Sequence, residues 1–176
     1  MTVAEPRAAA GQQLAGLFRQ HHIELVRLAV LLVQDQATAE DTVQDVFLRL
    51  QARRGQLGRE GEELAYIRAC VLNGCRSVLR RRRIAARAGT SVAVAARLAA
   101  GESAEAEVIR SEERRQVLVA LAGLPARRRE VLVLRYYLGL SEAEIGATLD
   151  ISKGSVKSAA ARGLAALAKA LEKESP

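Results

Sequence analysis

The sequence predicts an all-α protein made of two small helical domains joined by a flexible linker. Aromatic residues make up only 3% of the 176 residues, so the core must be built from Leu, Val, Ile and Ala, a mix that favours helices over sheets. Apolar residues recur at helical spacing in two stretches, separated by a stretch rich in Ala, Gly and Ser. We therefore expect a flexible tail over residues 1–11, a first domain over 12–84, a linker over 85–112 and a second domain over 113–173.

The first domain begins with two amphipathic helices. Leucines and a phenylalanine repeat at helical spacing from Leu14 to Val33 and predict the first helix. Thr38 and Asp41 resemble a capping box, which predicts that the second helix starts at Thr38. Its apolar face carries Val43, Val46, Phe47 and Leu50. Its polar face is either a solvated surface or a docking surface, and carries Glu40, Asp41, Gln44, Asp45 and Leu48.

The third helix, which follows a polar loop over Arg53–Gly61, has two opposite faces. One face is an apolar stripe of Leu64, Ile67, Val71, Cys75 and Val78. At about 100° per residue the opposite face carries Asn73, Arg76, Arg80 and Arg83. Guanidinium groups match phosphate oxygens, and an asparagine can read a base edge. No Asp or Glu occurs from Leu64 to Gly101, so the pattern indicates nucleic-acid contact rather than a merely solvated helix.

The second domain is predicted to contain a helix-turn-helix. Ser141 and Glu144 form a capping box for a short helix, Asp150 falls in a turn, and Ser152 can cap a longer helix. The contacts between these two helices are assigned to Ile145, Leu149, Ile151 and Val156. The first half of the longer helix, which such motifs insert into the major groove, presents Lys153, Ser155, Lys157, Ser158 and Arg162. A generic helical hairpin is the alternative interpretation.

Composition and motifs exclude several classes of protein. A formal net charge of +7 suggests a polyanionic partner. No apolar run reaches bilayer length and no signal peptide is apparent, so we expect no membrane insertion and a cytoplasmic location. The spacing of Cys70 and Cys75 fits no zinc motif, and no catalytic or phosphate-binding motif is present. We therefore expect no metal, no cofactor, no small-molecule substrate and no enzymatic activity.

Taken together, the motifs resemble the extracytoplasmic-function (group IV) sigma factors of bacterial RNA polymerase. The segment AEDTVQDVFLRL is similar to their region 2.2, and YIRACVLNGCRSVLRRRR to their regions 2.3 and 2.4. The segment from LPARRREVLVLRYYLGL to the end of the helix-turn-helix is similar to region 4, and RGLAAL resembles an actinobacterial branch. The resemblance implies a cytoplasmic initiation factor that binds core polymerase and directs it to promoters through −10 and −35 elements.

The resemblance also implies roles for individual residues. The clamp helices of the largest polymerase subunit would be bound by Asp41, Gln44, Asp45 and Leu48. The −10 element would be bound by Arg53, Arg54, Tyr66, Asn73, Arg76, Arg80 and Arg83, with the run Arg80–Arg83 neutralising backbone phosphates. The −35 element would be read by Lys153, Ser155, Lys157, Ser158 and Arg162. Further implied partners are the flap of the second-largest subunit and, as in many family members, an anti-sigma factor, whose existence the sequence leaves open.

Three departures from the family pattern bear on mechanism. Family members often carry Trp in region 2.3, whereas only Tyr66 is available for stacking here, which implies weak melting and strict promoter choice. Gly146 and Asp150 stand where the family usually has Ala and Gly. Residues 159–161 are alanines in place of longer side chains, which implies few base contacts and recognition through phosphates and DNA shape.

Two other functions remain open at this point. One is a stand-alone helix-turn-helix regulator that binds duplex operators without polymerase, as a dimer. The other is a basic interaction protein that associates with RNA or ribosomes, for which binding would be salt-sensitive and without sequence preference.

Overall fold

The chain divides into two compact units, Met1–Ser91 and Val92–Pro176. A computed structural model describes the backbone of residues 5–52, 61–87 and 105–174, and the side chains of residues 12–52, 61–86 and 114–172. Every regular element within these ranges is helical. The prediction of an all-α protein with two helical domains is therefore confirmed.

Three helices build the first unit: α1 (Glu5–Val33), α2 (Gln36–Ala52) and α3 (Glu63–Arg87). Each contributes an apolar stripe to one core, whose fully buried side chains include Leu25, Leu28, Val43, Val71 and Cys75. The rings of Phe18 and Phe47 stack at the edge of this core with centroids 4.2 Å apart. Arg68 also ties α3 to α1, because its Nη2 donates to Glu24 Oε1 at 2.6 Å.

The starts of α1 and α2 differ from the sequence prediction. Helix α1 begins at Glu5, inside the predicted flexible tail, because Pro6 is tolerated in a first helical turn and a run of alanines follows it. Helix α2 begins at Gln36, and its cap is Asp35 rather than Thr38. The Asp35 carboxylate accepts the Thr38 backbone N–H at 3.0 Å and also the Thr38 hydroxyl. The predicted capping box between Thr38 and Asp41 was therefore wrong.

The second unit consists of α4 (Glu105–Gly123), α5 (Ala126–Leu132), a π-helical turn (Val133–Tyr137), α6 (Glu142–Leu149) and α7 (Lys153–Glu174). Its core contains Val131, Leu134, Ile145 and Val156, all fully buried. Arg129 closes the α4–α5 connection, since its Nη2 donates to the carbonyls of Ala122 and Leu124 at 2.8 and 3.2 Å. Burial lowers the pKa of Arg129 from its ordinary value, an effect that the adjacent Glu130 carboxylate opposes.

Helices α6 and α7 form the predicted helix-turn-helix. The capping box is confirmed: Glu144 N–H donates to Ser141 Oγ at 3.3 Å, and Ser141 N–H donates to Glu144 Oε2 at 2.9 Å. Asp150 adopts the left-handed conformation with φ 54°, which lets the chain turn sharply. A Cβ on Gly146 would lie 2.8 Å from the Ile151 carbonyl oxygen, so the turn returns closer to α6 than an alanine would allow.

The predicted linker over residues 85–112 lies partly within helices. Helix α3 continues to Arg87, and helix α4 starts at Glu105, so both ends of the predicted linker are helical. Residues 88–104 lie outside the described ranges. The linker boundaries therefore remain a prediction.

Candidate nucleic-acid interfaces

Helix α2 turns four candidate residues to one outward face. Asp41, Gln44, Asp45 and Leu48 are all exposed, Leu48 by 60% of its surface. Residues three and four apart lie on the same side of a helix, so the four form a continuous surface. Asp45 contacts Arg49 at 3.2 Å, but both side chains are about two-thirds exposed and this pair stabilises little. The result is an acidic surface with one exposed apolar side chain, suited to a partner that carries basic and apolar side chains.

Helix α3 brings most of the predicted −10 residues to the opposite face from its apolar stripe. Asn73, Arg80 and Arg83 are exposed, whereas Tyr66 and Arg76 are half-buried. Arg76 Nη1 donates to Asn73 Oδ1 at 2.9 Å, which fixes the rotamer of the Asn73 amide. An amide oriented in advance loses less conformational freedom when it binds a base edge. Arg53 and Arg54 lie outside the described residues.

The arginine run Arg80–Arg83 does not act as one cluster. Arg80, Arg81 and Arg83 are exposed, but Arg82 turns back into the first unit. Its Nη1 donates to the Val33 carbonyl and its Nη2 donates to Thr38 Oγ1, both at 2.7 Å. The same nitrogen lies 3.5 Å from the Asp35 carboxylate. The interpretation of the whole run as a phosphate-neutralising cluster is therefore wrong for Arg82.

The role of Arg82 was missed, although the sequence carries a signal for it. Arg82 follows Asn73 by nine residues, about two and a half helical turns, and so falls on the opposite side of α3. It also follows the stripe residue Val78 by one turn. A charged residue in line with an apolar stripe indicates a buried partner, and that partner is the α1–α2 junction.

The first half of α7 carries the predicted −35 residues. Lys153, Ser155, Lys157 and Arg162 are exposed, and Ser158 is half-buried. Arg162 Nη2 donates to Ser158 Oγ at 2.6 Å, and the hydroxyls of Ser152 and Ser155 are 2.9 Å apart. Two short polar pairs thus cover the outward side of the helix, with the two lysines beside them.

The three alanines of α7 do not all belong to this outward side. Ala159 and Ala160 are buried against the rest of the second unit, and only Ala161 is exposed. The expectation that all three alanines replace DNA-facing side chains is therefore wrong for Ala159 and Ala160. Small side chains at these two positions let α7 pack closely and remove no base contact.

The described residues form neither a metal site nor a membrane-spanning helix. Within these ranges, no group of three or more His, Cys, Asp or Glu side chains could hold a metal ion. No helix in the same ranges combines the length and the apolar character needed to cross a bilayer.

Two family models match the chain, one in each unit. The model described as sigma-70 region 2 matches residues 17–84, which include α2 and nearly all of α3. The model described as sigma-70 region 4 matches residues 114–167, which include the helix-turn-helix. The two matches follow the order region 2 and then region 4 along the chain.

Whole-chain comparisons give the same picture. The chain is 32% identical over 157 residues to the ECF RNA polymerase sigma factors SigM and SigL of Mycobacterium tuberculosis. The SigM alignment covers 88% of this chain and 75% of SigM, and the SigL alignment covers 89% and 87%. CarQ, an RNA polymerase sigma factor of Myxococcus xanthus, is 29% identical over 158 residues, with 89% and 88% covered.

Solved structures share the fold. The sigma factor RpoE from Bartonella quintana, in complex with the anti-sigma factor NepR, superposes with a TM-score of 0.71 at 22% identity. That superposition covers 93% of this chain and 96% of RpoE. CnrH, in complex with the cytosolic domain of CnrY, gives a TM-score of 0.67 at 24% identity and covers 96% of both chains.

Proposed function

The chain belongs to the extracytoplasmic-function sigma factors of RNA polymerase, and from this premise we propose how its surfaces divide the work of initiation. Such a factor binds core polymerase and directs it to specific promoters through −10 and −35 elements. The observation that carries the proposal is the presence of both sigma regions in one chain, region 2 over residues 17–84 and region 4 over 114–167. We propose a first domain over 12–84 and a second over 113–173.

Polymerase binding is assigned to the outward face of α2. Asp41, Gln44, Asp45 and Leu48 would contact the clamp helices of the largest subunit. The acidic side chains suit basic residues on the partner, and Leu48 would bury an exposed apolar surface on docking. The flap of the second-largest subunit is proposed as a further contact of the second unit.

Recognition of the −10 element is assigned to α3 and the loop before it. Asn73, oriented by Arg76, would read a base edge, and Arg80 and Arg83 would contact phosphates. Tyr66 offers the aromatic surface for stacking. We propose that Arg53 and Arg54, in the loop before α3, help to capture a base extracted from the duplex, a step that costs a few kcal/mol and needs a neutralised backbone.

Recognition of the −35 element is assigned to the first half of α7. Lys153 and Lys157 would contact phosphates, and Ser155, Ser158 and Arg162 would reach the floor of the major groove. Because the exposed side chains are short except for these lysines and Arg162, we propose that phosphate contacts and DNA shape carry much of the discrimination.

The remaining proposals concern the cellular setting. We propose that the protein acts in the bacterial cytoplasm, where its polymerase is, and that it has no catalytic activity of its own. An anti-sigma factor is a proposed partner, by analogy with RpoE, which was solved bound to the anti-sigma factor NepR. The stand-alone regulator is not favoured, because such a regulator has no use for region 2.

The experiment that tests the function is run-off transcription. Purified core polymerase and this protein are combined on sheared genomic DNA from the same source, and the RNA 5′ ends are sequenced. We expect discrete starts preceded by two shared elements roughly 16–18 bp apart, or about one and a half helical turns. Core polymerase alone is the control. Specific duplex binding by the protein alone, without discrete starts, would contradict the proposal.

A further inference from the structure

We propose that Arg82 is a positioning residue, which holds the promoter-facing helix α3 in register with the polymerase-facing helix α2. Its loss should slow promoter opening while leaving polymerase affinity unchanged. The inference rests on the proposed function of the first unit, and it concerns a residue to which that proposal gives no contact with DNA or polymerase.

The contacts of Arg82 join all three helices of the first unit. Its side chain leaves α3 and donates to the carbonyl of Val33, the last residue of α1, at 2.7 Å. Its second terminal nitrogen donates to Thr38 Oγ1 in the first turn of α2, also at 2.7 Å. The end of α1, the start of α2 and the second half of α3 therefore meet at one guanidinium group.

The junction that Arg82 contacts is built around a buried carboxylate. Asp35 is buried, caps α2 through the Thr38 backbone N–H at 3.0 Å and lies 3.5 Å from Arg82 Nη2. Gln34, just before it, has φ 60° and is also buried. Removing one partner of a buried ion pair leaves the other charge in a poorly solvated place, which costs more than the pair itself contributes. Without Arg82, we expect the second half of α3 to move away from the α1–α2 junction, so that water reaches Asp35.

A lysine cannot replace these contacts. A guanidinium group is planar and presents several N–H donors in a fixed fork, so it can bond a carbonyl and a hydroxyl while facing a carboxylate. A lysine ammonium is a compact point charge on a flexible stem. It would keep the charge opposite Asp35 but lose the geometry that fixes α3.

The position of the network links it to both functional faces. Arg82 lines an open groove of about 300 Å³ together with Asp41 and Asp45 of the polymerase-binding face. At the other end of the α2–α3 contact, a Cβ on Gly74 would lie 2.8 Å from the Thr42 methyl group, so the helices nearly touch beside Asn73. The spacing of α2 and α3 is thus set at two points, by close packing next to Asn73 and by Arg82 about two turns later.

The test compares Arg82→Ala and Arg82→Lys with Arg27→Ala as the matched control. Arg27 lies on α1, is exposed, carries the same charge and has no proposed contact with DNA or polymerase. Each variant is assembled with core polymerase on the promoter identified by run-off transcription. Two quantities are measured: the protein concentration that half-saturates core, and the rate of abortive product at saturation. The rate is measured on duplex promoter and on the same promoter with the start-site region already unpaired.

We expect Arg82→Ala to lower the saturated rate on duplex promoter by about tenfold or more, as for the loss of a charge-assisted contact, with a half-saturating concentration within about twofold of wild type. The saturated rate of Arg82→Lys should lie between those of Arg82→Ala and the wild type. For both variants, the unpaired template should restore most of the rate. Arg27→Ala should match the wild type on both templates.

Three outcomes would overturn the inference. One is equal loss in Arg27→Ala and Arg82→Ala, which would make the effect one of charge alone. Another is a rise in half-saturating concentration that accounts for the lost rate. If circular dichroism shows that Arg82→Ala does not fold, Arg82→Lys carries the test, and full activity of that variant would contradict the inference. The absence of specific starts with the wild type would instead contradict the proposed function.

Discussion

The arginines of α3 occupy three different environments within a few turns of one another. Arg68 is bound to Glu24 of α1, and Arg82 is bound to the α1–α2 junction. Arg76 donates to Asn73 on the same helix, whereas Arg80 projects from the surface. The same residue type thus closes the fold, orients a neighbour or is available to a phosphate, and only the packed structure distinguishes these uses.

The first prediction concerns Asn73, whose amide is held at the surface. Asn73→Ala should reduce promoter-specific initiation by about tenfold or more, since one good base contact is worth about 1–3 kcal/mol, while binding to core polymerase is kept. The measurements are initiation from the native promoter and affinity for core. Ser77→Ala is the control, because Ser77 only donates its hydroxyl to the Asn73 carbonyl at 3.0 Å. An equal loss of core binding would show that Asn73 is structural.

The second prediction concerns Gly146 in the helix-turn-helix. An alanine there gains roughly 1 kcal/mol of helix propensity, but its Cβ meets the Ile151 carbonyl oxygen at 2.8 Å. Backbone cannot move aside as a flexible side chain can, and overpacking costs about 1–3 kcal/mol. We expect Gly146→Ala to lower the melting temperature of the full chain by a few degrees.

The control for that change is Gly154→Ala, in the first turn of α7. A Cβ at Gly154 would meet nothing closer than Ser152 Oγ at 3.9 Å, an ordinary contact. This variant should melt at the wild-type temperature or above it. A Gly146→Ala protein that is more stable than wild type would show that α6 and the turn can separate without cost.

At the scale of helices, local signals predicted most of what the structure contains. The stripe of α3, the capping box at Ser141 and the turn at Asp150 are each specified within a few residues, and each is confirmed. The start of α2 was not predictable in this way, because Thr38 and Asp35 are both residues that could cap a helix at this point of the sequence. Asp35 also pairs with Arg82, which is remote in sequence.

The surfaces of the helices were harder to predict than their existence. Which side of α7 is buried depends on what packs against it, and Leu132 of α5 lies next to Gly163 on that side. Ala159 and Ala160 lie on the same side of α7 and are buried in the core of the second unit. The sequence alone does not show which alanines of a run face the core and which face outward. The short side chains at all three positions were therefore attributed to DNA recognition.

The third prediction concerns the outward face of α2. Leu48→Ala should weaken core polymerase binding by about tenfold, in the range expected when an exposed apolar side chain anchors an interface. Ile23→Ala is the matched control, since Ile23 is 67% exposed on α1 and has no proposed contact. Both variants should melt like the wild type. Similar affinity of the two variants for core would mean that α2 does not carry the interface.

At the scale of the whole molecule, the proposed tasks are divided between the two units. The net charge of +7 attracts any nucleic acid, so it supplies affinity without selecting a sequence. In the proposed function, α3 reads the −10 element on an unpaired strand through Asn73. Polymerase is therefore expected to supply the state of the DNA that the first unit recognises.

The fourth prediction follows from this division. The protein alone should bind promoter duplex and random duplex within about threefold of each other, and both affinities should fall steeply as salt rises. Assembled with core, it should prefer its promoter by roughly a thousandfold, within the range of specific binders. Fluorescence anisotropy with and without core measures both. A large preference for promoter duplex by the protein alone would support the stand-alone regulator instead.

The division at Ser91 and Val92 has a consequence for promoter choice. When either unit binds its own DNA element, the other unit is confined nearby at a high effective concentration. Two individually weak contacts therefore give tight binding together. This gain in affinity is lost if the second element lies out of reach. It is also lost if the spacing between the elements changes by about 5 bp, half a helical turn, because the second element then faces the far side of the duplex. The distance between the elements then becomes a property that the protein selects, alongside their bases.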